Sequence, residues 1–85
     1  MKRKHAKTLE LLFHRPVSAN LKHEDVMALL IGLGAAIETS REGSRVGVVL
    51  FGQTRVLHKP HPSPNMDKGA VAAIRDWLEQ HGVTP

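Results

Sequence analysis

The chain has no cysteine and no tyrosine, and its aromatic residues are limited to Phe13, Phe51 and Trp77. Without cysteine there is no disulfide, no thiol nucleophile and no zinc–thiolate site. A reducing cytoplasm is the simplest compartment for such a chain. With so few aromatics, the core must be assembled from Leu, Val, Ile and Ala. Long apolar runs are also missing. None approaches the roughly 20 residues of a membrane span, so no membrane partner is expected. The start Met1-Lys2-Arg3-Lys4 has the charge of a signal-peptide n-region. The following Leu9-Glu10-Leu11-Leu12-Phe13 is short and charged, which argues against a secretory segment.

What remains is an ordinary folded composition. Apolar residues make up 41% and charged residues 24% of 85 residues, which is too apolar for disorder and enough for one core. A single domain over residues 1–85 is the expectation. Lys and Arg exceed Asp and Glu by 12 to 8. A basic balance favours anionic partners, either nucleic acid or an acidic protein. A plain solubility charge is the other reading of the same excess.

The hydrophobic spacing divides the chain into six elements. A first helix spans about residues 5–14, with Leu9, Leu12 and Phe13 on one face, and ends at Arg15-Pro16. A second runs from about His23 to Leu33, with Glu24 and Asp25 in its first turn and Gly34 as its stop. Three strands follow at Ala36–Ser40, Arg45–Phe51 and Thr54–Lys59, separated by turn signals at Glu42-Gly43 and Gly52-Gln53. Pro60-His61-Pro62-Ser63-Pro64 is a stiff extended connector. Asp67 then offers an N-cap to a last helix carrying Ala70, Val71, Ile74, Trp77 and Leu78 on one face, with Gly82 as its stop. The pattern predicts an α+β fold of order ααβββα, with helices on one face of a three-stranded antiparallel sheet.

If Gly52-Gln53 forms the whole hairpin loop, Val49 faces Val56, Gly47 faces His58 and Val46 faces Lys59. Side chains alternate between faces. Val46, Val48, Leu50 and Leu57 then form the core face. Arg45, Gly47, Val49, Phe51, Val56 and His58 form the other, which calls for a cover: the N-terminal helix or a partner.

Six histidines are available: His5, His14, His23, His58, His61 and His81. No two fall at i, i+4 spacing within one helix, so neither a metal site nor any other cofactor is indicated, and surface positions suit His5, His14, His23 and His81. His58 and His61 differ, because they close a strand among Arg45, Arg55 and Lys59. An imidazole can pass protons to and from a ribose hydroxyl, and neighbouring cations can hold a phosphate. Metal-free RNA cleavage needs that combination. Phosphate binding without chemistry is the alternative for the same pair. Gly43-Ser44 reads as a hairpin turn rather than a nucleotide loop, and Trp77 as a core residue.

The run Gly43-Ser44-Arg45-Val46, the hairpin after it, His58-Lys59-Pro60-His61-Pro62 and the Lys68-Gly69-Ala70-Val71 helix opening with Ile74-Arg75 resemble the HicA-like toxins. The resemblance covers about residues 24–83 and leaves the N-terminal helix outside it. It implies a double-stranded-RNA-binding-like fold, ribosome-independent cleavage of mRNA, and neutralisation by a HicB-like antitoxin. In that family the active histidine follows the Gly-Ser pair, where this chain has Arg45 and Val46. A guanidinium stays protonated and cannot replace an imidazole in proton transfer. The expected site is therefore His58 and His61 for chemistry, with Ser44, Arg45, Arg55 and Lys59 for RNA phosphate. The expected register seats His58 opposite Gly47, in the space left by the missing side chain. A non-catalytic RNA- or protein-binding module on the same fold is the alternative function.

Overall fold

A computed structural model describes residues 1–39, 43–60 and 62–85. Ser40, Glu42 and His61, named above, lie outside the described residues. The chain forms α1 (Arg3–Phe13), α2 (His23–Gly32), β1 (Ala36–Thr39), β2 (Arg45–Leu50), β3 (Gln53–His58) and α3 (Lys68–Gln80). The α+β class and the ααβββα order are those expected from the hydrophobic spacing.

Local chemistry explains the helix ends. Asp67 caps α3, its carboxylate accepting from the backbone N–H groups of Gly69 (2.9 Å) and Ala70 (3.3 Å). Both α2 and α3 finish on a left-handed glycine. The Ala35 N–H donates to the Leu30 carbonyl and the Gly34 N–H to that of Ile31, and Val83 and Gly82 repeat the pattern on Leu78 and Glu79. This is the Schellman arrangement, which satisfies carbonyls that a helix otherwise leaves open. Leu9 and Leu12 of α1 share one core cluster with Val26, Leu29 and Leu30 of α2 and with Val71, Ile74 and Leu78 of α3.

The sheet order is β1-β2-β3, antiparallel throughout. Its register corrects the one expected above. Leu50 pairs with Gln53, so the loop is Phe51-Gly52 rather than Gly52-Gln53. Phe51 and Gly52 both carry positive φ (57° and 71°), as a type I′ turn requires. Gly52 adopts this freely. Phe51 is a bulky residue in a region that costs roughly 1–2 kcal/mol. Its ring stands edge-on to Trp77 at 5.7 Å and stacks on His81 at 4.1 Å, and such pairs contribute about 0.5–1.5 kcal/mol each. Gly-X looked like the loop because glycine was assigned its first position. The aromatic contacts instead place Phe51 there, and its ring points to α3, not to the second sheet face.

The shift moves each partner by two residues and therefore leaves the faces unchanged. Val46, Val48, Leu50 and Leu57 are buried against the helices, as expected. His58, however, faces Arg45, while Gly47 faces Val56 on one side and Glu38 on the other. The proposed seating of His58 over Gly47 does not occur. Nor is the second face covered by α1, which packs against α2 and α3. Val56 remains 60% exposed on that open face.

The turn account predicts different outcomes for two truncations of one side chain. Phe51→Ala loses the ring contacts and keeps the backbone strain. Phe51→Asn loses the contacts but tolerates positive φ, and should be more stable than Phe51→Ala by about 1 kcal/mol in urea unfolding. Equal stabilities would mean that strain at position 51 is negligible.

Candidate nucleic-acid interface

The open end of the β2–β3 hairpin gathers most of the expected site. The Lys59 N–H donates to the Ser44 carbonyl at 2.9 Å, extending the ladder one pair past Arg45 and His58. Arg45 and His58 are thus cross-strand neighbours on the open face, where paired side chains lie within reach of each other. Ser44, Arg45, His58 and Lys59 are all exposed. Among the described residues, neither Arg45 nor Lys59 forms an ion pair. Arg45 and His58 meet solvent on the open face, and the next pair, Ser44 and Lys59, is exposed at the hairpin end with the opposite side-chain parity.

Arg55 is not part of this group. It pairs with Val48, on the helix side of the sheet and three residues along the strand from the Arg45 pair. Its guanidinium lies over the Trp77 ring at 5.3 Å and donates to the Gln53 Oε1 at 3.5 Å. The same Gln53 oxygen accepts from the Trp77 Nε1–H at 2.8 Å. Trp77 is a core residue, as its helical spacing indicated, and Arg55 braces it.

His23 was expected at the surface and is buried instead. The cause is tertiary. The proline-rich connector folds back over the start of α2, with the His23 N–H donating to the Pro64 carbonyl (3.0 Å) and the Met66 N–H to the Leu21 carbonyl (2.7 Å). A lone isolated bridge between Lys22 and Asn65 completes this clamp. Among the described residues, the buried Nδ1 of His23 has no hydrogen-bond partner. Burial, and to a lesser extent the positive charge of Lys59, hold its pKa below the usual 6.5. The ring lines a cavity of about 260 Å³ that also reaches His58. Sequence gave no sign of this, since the clamp joins Lys22 and Asn65, which are far apart in the chain.

Glu38 was also missed. No carboxylate is near His58 in sequence, yet β1 brings Glu38 onto the open face beside Gly47, one row from the Arg45–His58 pair. A Cβ on Gly47 would lie 3.5 Å from that of Glu38, in ordinary contact. Strict alternation within Ala36–Thr39 would have placed Glu38 opposite the half-buried Ile37, but only the β1–β2 register shows which residue it neighbours. His61 lies outside the described residues. Among those described, no three His, Asp or Glu side chains gather in a way that could hold a metal.

Comparison with known families decides the lineage. Residues 24–83 match the family model described as HicA toxin of bacterial toxin-antitoxin. The chain belongs to the HicA toxin family. It is a toxin of the toxin–antitoxin kind, and an antitoxin is the kind of partner that membership entails. The match begins inside α2, so α1 is outside it. Neither the curated proteins nor the solved structures yield a match. Among the described residues, no helix is long and apolar enough to cross a membrane.

The depressed pKa of His23 has a consequence for stability. The unfolded chain binds a proton at this residue more readily than the folded one, so folding stability is full above the unfolded value and falls as pH drops through it. The urea midpoint should therefore decline from about pH 7 to about pH 5. His23→Phe, which removes both the titration and the unpartnered nitrogen, should flatten that decline. An unchanged pH dependence in the variant would assign it to other groups.

Proposed function

We propose that this HicA-family toxin is a ribosome-independent mRNA interferase whose RNA phosphate sits at the open end of the β2–β3 hairpin. The observation that carries the reading is the Arg45–His58 pair on the uncovered sheet face, with Ser44 and Lys59 exposed in the next pair at the hairpin end. Arg45 and Lys59 supply positive charge where negative charge builds in the transition state. Ser44 offers a hydroxyl to a phosphate oxygen. His58 and His61 exchange protons. One imidazole accepts the proton of the ribose 2′-hydroxyl as its oxygen attacks phosphorus. The other donates a proton to the 5′-oxygen as the P–O5′ bond breaks. The products are a 2′,3′-cyclic phosphate and a free 5′-hydroxyl. No metal or cofactor enters these steps.

Arg45 and Val46 stand where the resemblance to HicA-like toxins implies a histidine, and neither a guanidinium nor an alkyl group takes part in proton transfer. The chemistry therefore rests on His58, which ends β3, and on His61 after it. The same substitution favours a second reading, an RNA-binding module without cleavage, because phosphate contacts alone position RNA and do not cut it. A HicB-like antitoxin is the partner in either case, and the cytoplasm, where mRNA is met, is the place of action.

Purified chain incubated with mRNA decides between the two. The toxin reading expects cleavage that falls by about 100-fold or more in His58→Ala or His61→Ala, the loss typical of a removed general acid or base. Arg45→Ala and Lys59→Ala should weaken RNA binding and reduce its salt dependence by about 0.7 in logarithmic slope per lost phosphate contact. Glu38→Gln tests whether the carboxylate on the same face shares the proton transfer. RNA retained uncut by the wild-type chain would establish the binding module instead.

A further inference from the structure

β3 is an edge strand, since the sheet order places only β2 beside it. Its backbone polarity can be read from the ladder. The Lys59 N–H bonds the Ser44 carbonyl, so this pair is turned inward, and the period of two turns Leu57, Arg55 and Gln53 inward as well. Thr54, Val56 and His58 then direct their N–H and C=O groups outward. Among the described residues, no backbone bond from outside the sheet reaches them. The strand also lacks the usual protections of an edge. It has no proline or bulge, and its one interior charged side chain, Arg55, is folded back over Trp77.

A trough runs along this edge. Two cavities, of about 260 and 110 Å³, share Val56, Leu57 and Ala73 and so form one continuous depression. Val56 belongs to the open face of the sheet and Leu57 to the helix face, so the depression opens at the edge itself. Its far wall is α3, where Ala70 and Ala73 leave room that larger residues would fill. A strand hydrogen-bonded to β3 would lie about 4.8 Å from it, over these alanines.

We infer that this edge is where a partner protein docks, by adding an extended segment as a fourth strand against β3. The inference rests on the toxin–antitoxin reading for the identity of that partner, the antitoxin. The segment is apolar where it passes Val56 and Ala73, and acidic at its ends, where it passes Arg55 and Lys59. Charge supports this composition. Asp67 is the one carboxylate lining the trough among the described residues, and its oxygens are occupied by the Gly69 and Ala70 N–H groups. An RNA strand fits poorly, because the middle of the trough is apolar and offers its phosphates no cation. Strand addition supplies affinity through the main chain and specificity through alternate side chains. It would also cover His58, whose outward backbone groups belong to the same edge.

Residue-resolved hydrogen exchange on the full chain tests this, with the product of the neighbouring gene as the partner. On complex formation, the amides of Thr54, Val56 and His58 should slow by about 100-fold or more, while Arg55 and Leu57, already bonded to β2, change little. Val56→Lys and Ala73→Arg place edge-blocking side chains at exposed positions outside the proposed chemistry. They should weaken the complex by at least about tenfold and leave cleavage of RNA by the free chain unchanged. A complex whose formation leaves the three amides exchanging as before overturns the proposal. So does protection of them by RNA alone, or failure of the two proteins to associate. The RNase reading stands or falls separately, on whether the free chain cuts RNA. Alternating protection in a chain that cuts nothing would keep the docking edge and discard the chemistry.

Discussion

Phe51 sits in a left-handed backbone conformation that bulky side chains avoid, and the contacts of its ring with Trp77 and His81 hold it there. The strain of roughly 1–2 kcal/mol is of the same size as two aromatic contacts of about 0.5–1.5 kcal/mol each. That balance closes the hairpin at Phe51-Gly52. Once the loop is fixed, every pair along β2 and β3 is fixed with it. The Trp77 hub strengthens the arrangement, since its indole N–H bonds Gln53 and its face carries Arg55. One helix residue thereby braces the turn, the first pair of the ladder and the side chain that would otherwise guard the strand edge.

Two surfaces follow from this register. At the open end of the hairpin, the last pairs bring Arg45 and His58 together on the open sheet face, with Ser44 and Lys59 in the pair that follows. Along the outer edge, the same parity turns Thr54, Val56 and His58 outward. His58 belongs to both, with its side chain on the face and its backbone at the edge. A toxin built this way can be silenced without a separate regulatory site, because a strand laid on the edge bonds the backbone of the residue proposed for chemistry. The helices serve the sheet from the other side, and α1 extends that layer by contributing Leu9 and Leu12 to the common core.

The sequence was most legible where local chemistry is decisive. The Asp67 cap, the stops at Gly34 and Gly82, and the apolar stripes of α2 and α3 each depend on residues a few positions apart. The buried face of β2 was equally legible, because alternation survives a register error of two residues. The exact partners were not, since glycine in a Gly-Gln pair is as good a turn signal as glycine after phenylalanine. Only the distant Trp77 and His81 decide between them. His23 and Glu38 escaped for the same reason. Burial of the first comes from the proline-rich clamp, and proximity of the second to His58 comes from β1. The family resemblance carried by Gly43-Ser44-Arg45 and the segment after β3 was readable because those residues are contiguous, and the match over residues 24–83 agrees with it.

The claim on which both surfaces depend is that Arg45, and not Gly47, faces His58. The absence of native cysteine makes it directly measurable by cross-linking. Arg45 and His58 form a pair without mutual backbone bonds, for which Cα atoms lie about 4.5 Å apart, inside the range a disulfide spans. The double variant Arg45→Cys/His58→Cys should therefore oxidise to an intramolecular disulfide in the folded chain, while Gly47→Cys/His58→Cys should remain reduced under the same conditions. Preferential closure of the second pair would contradict the register, and with it the site and the edge built on it.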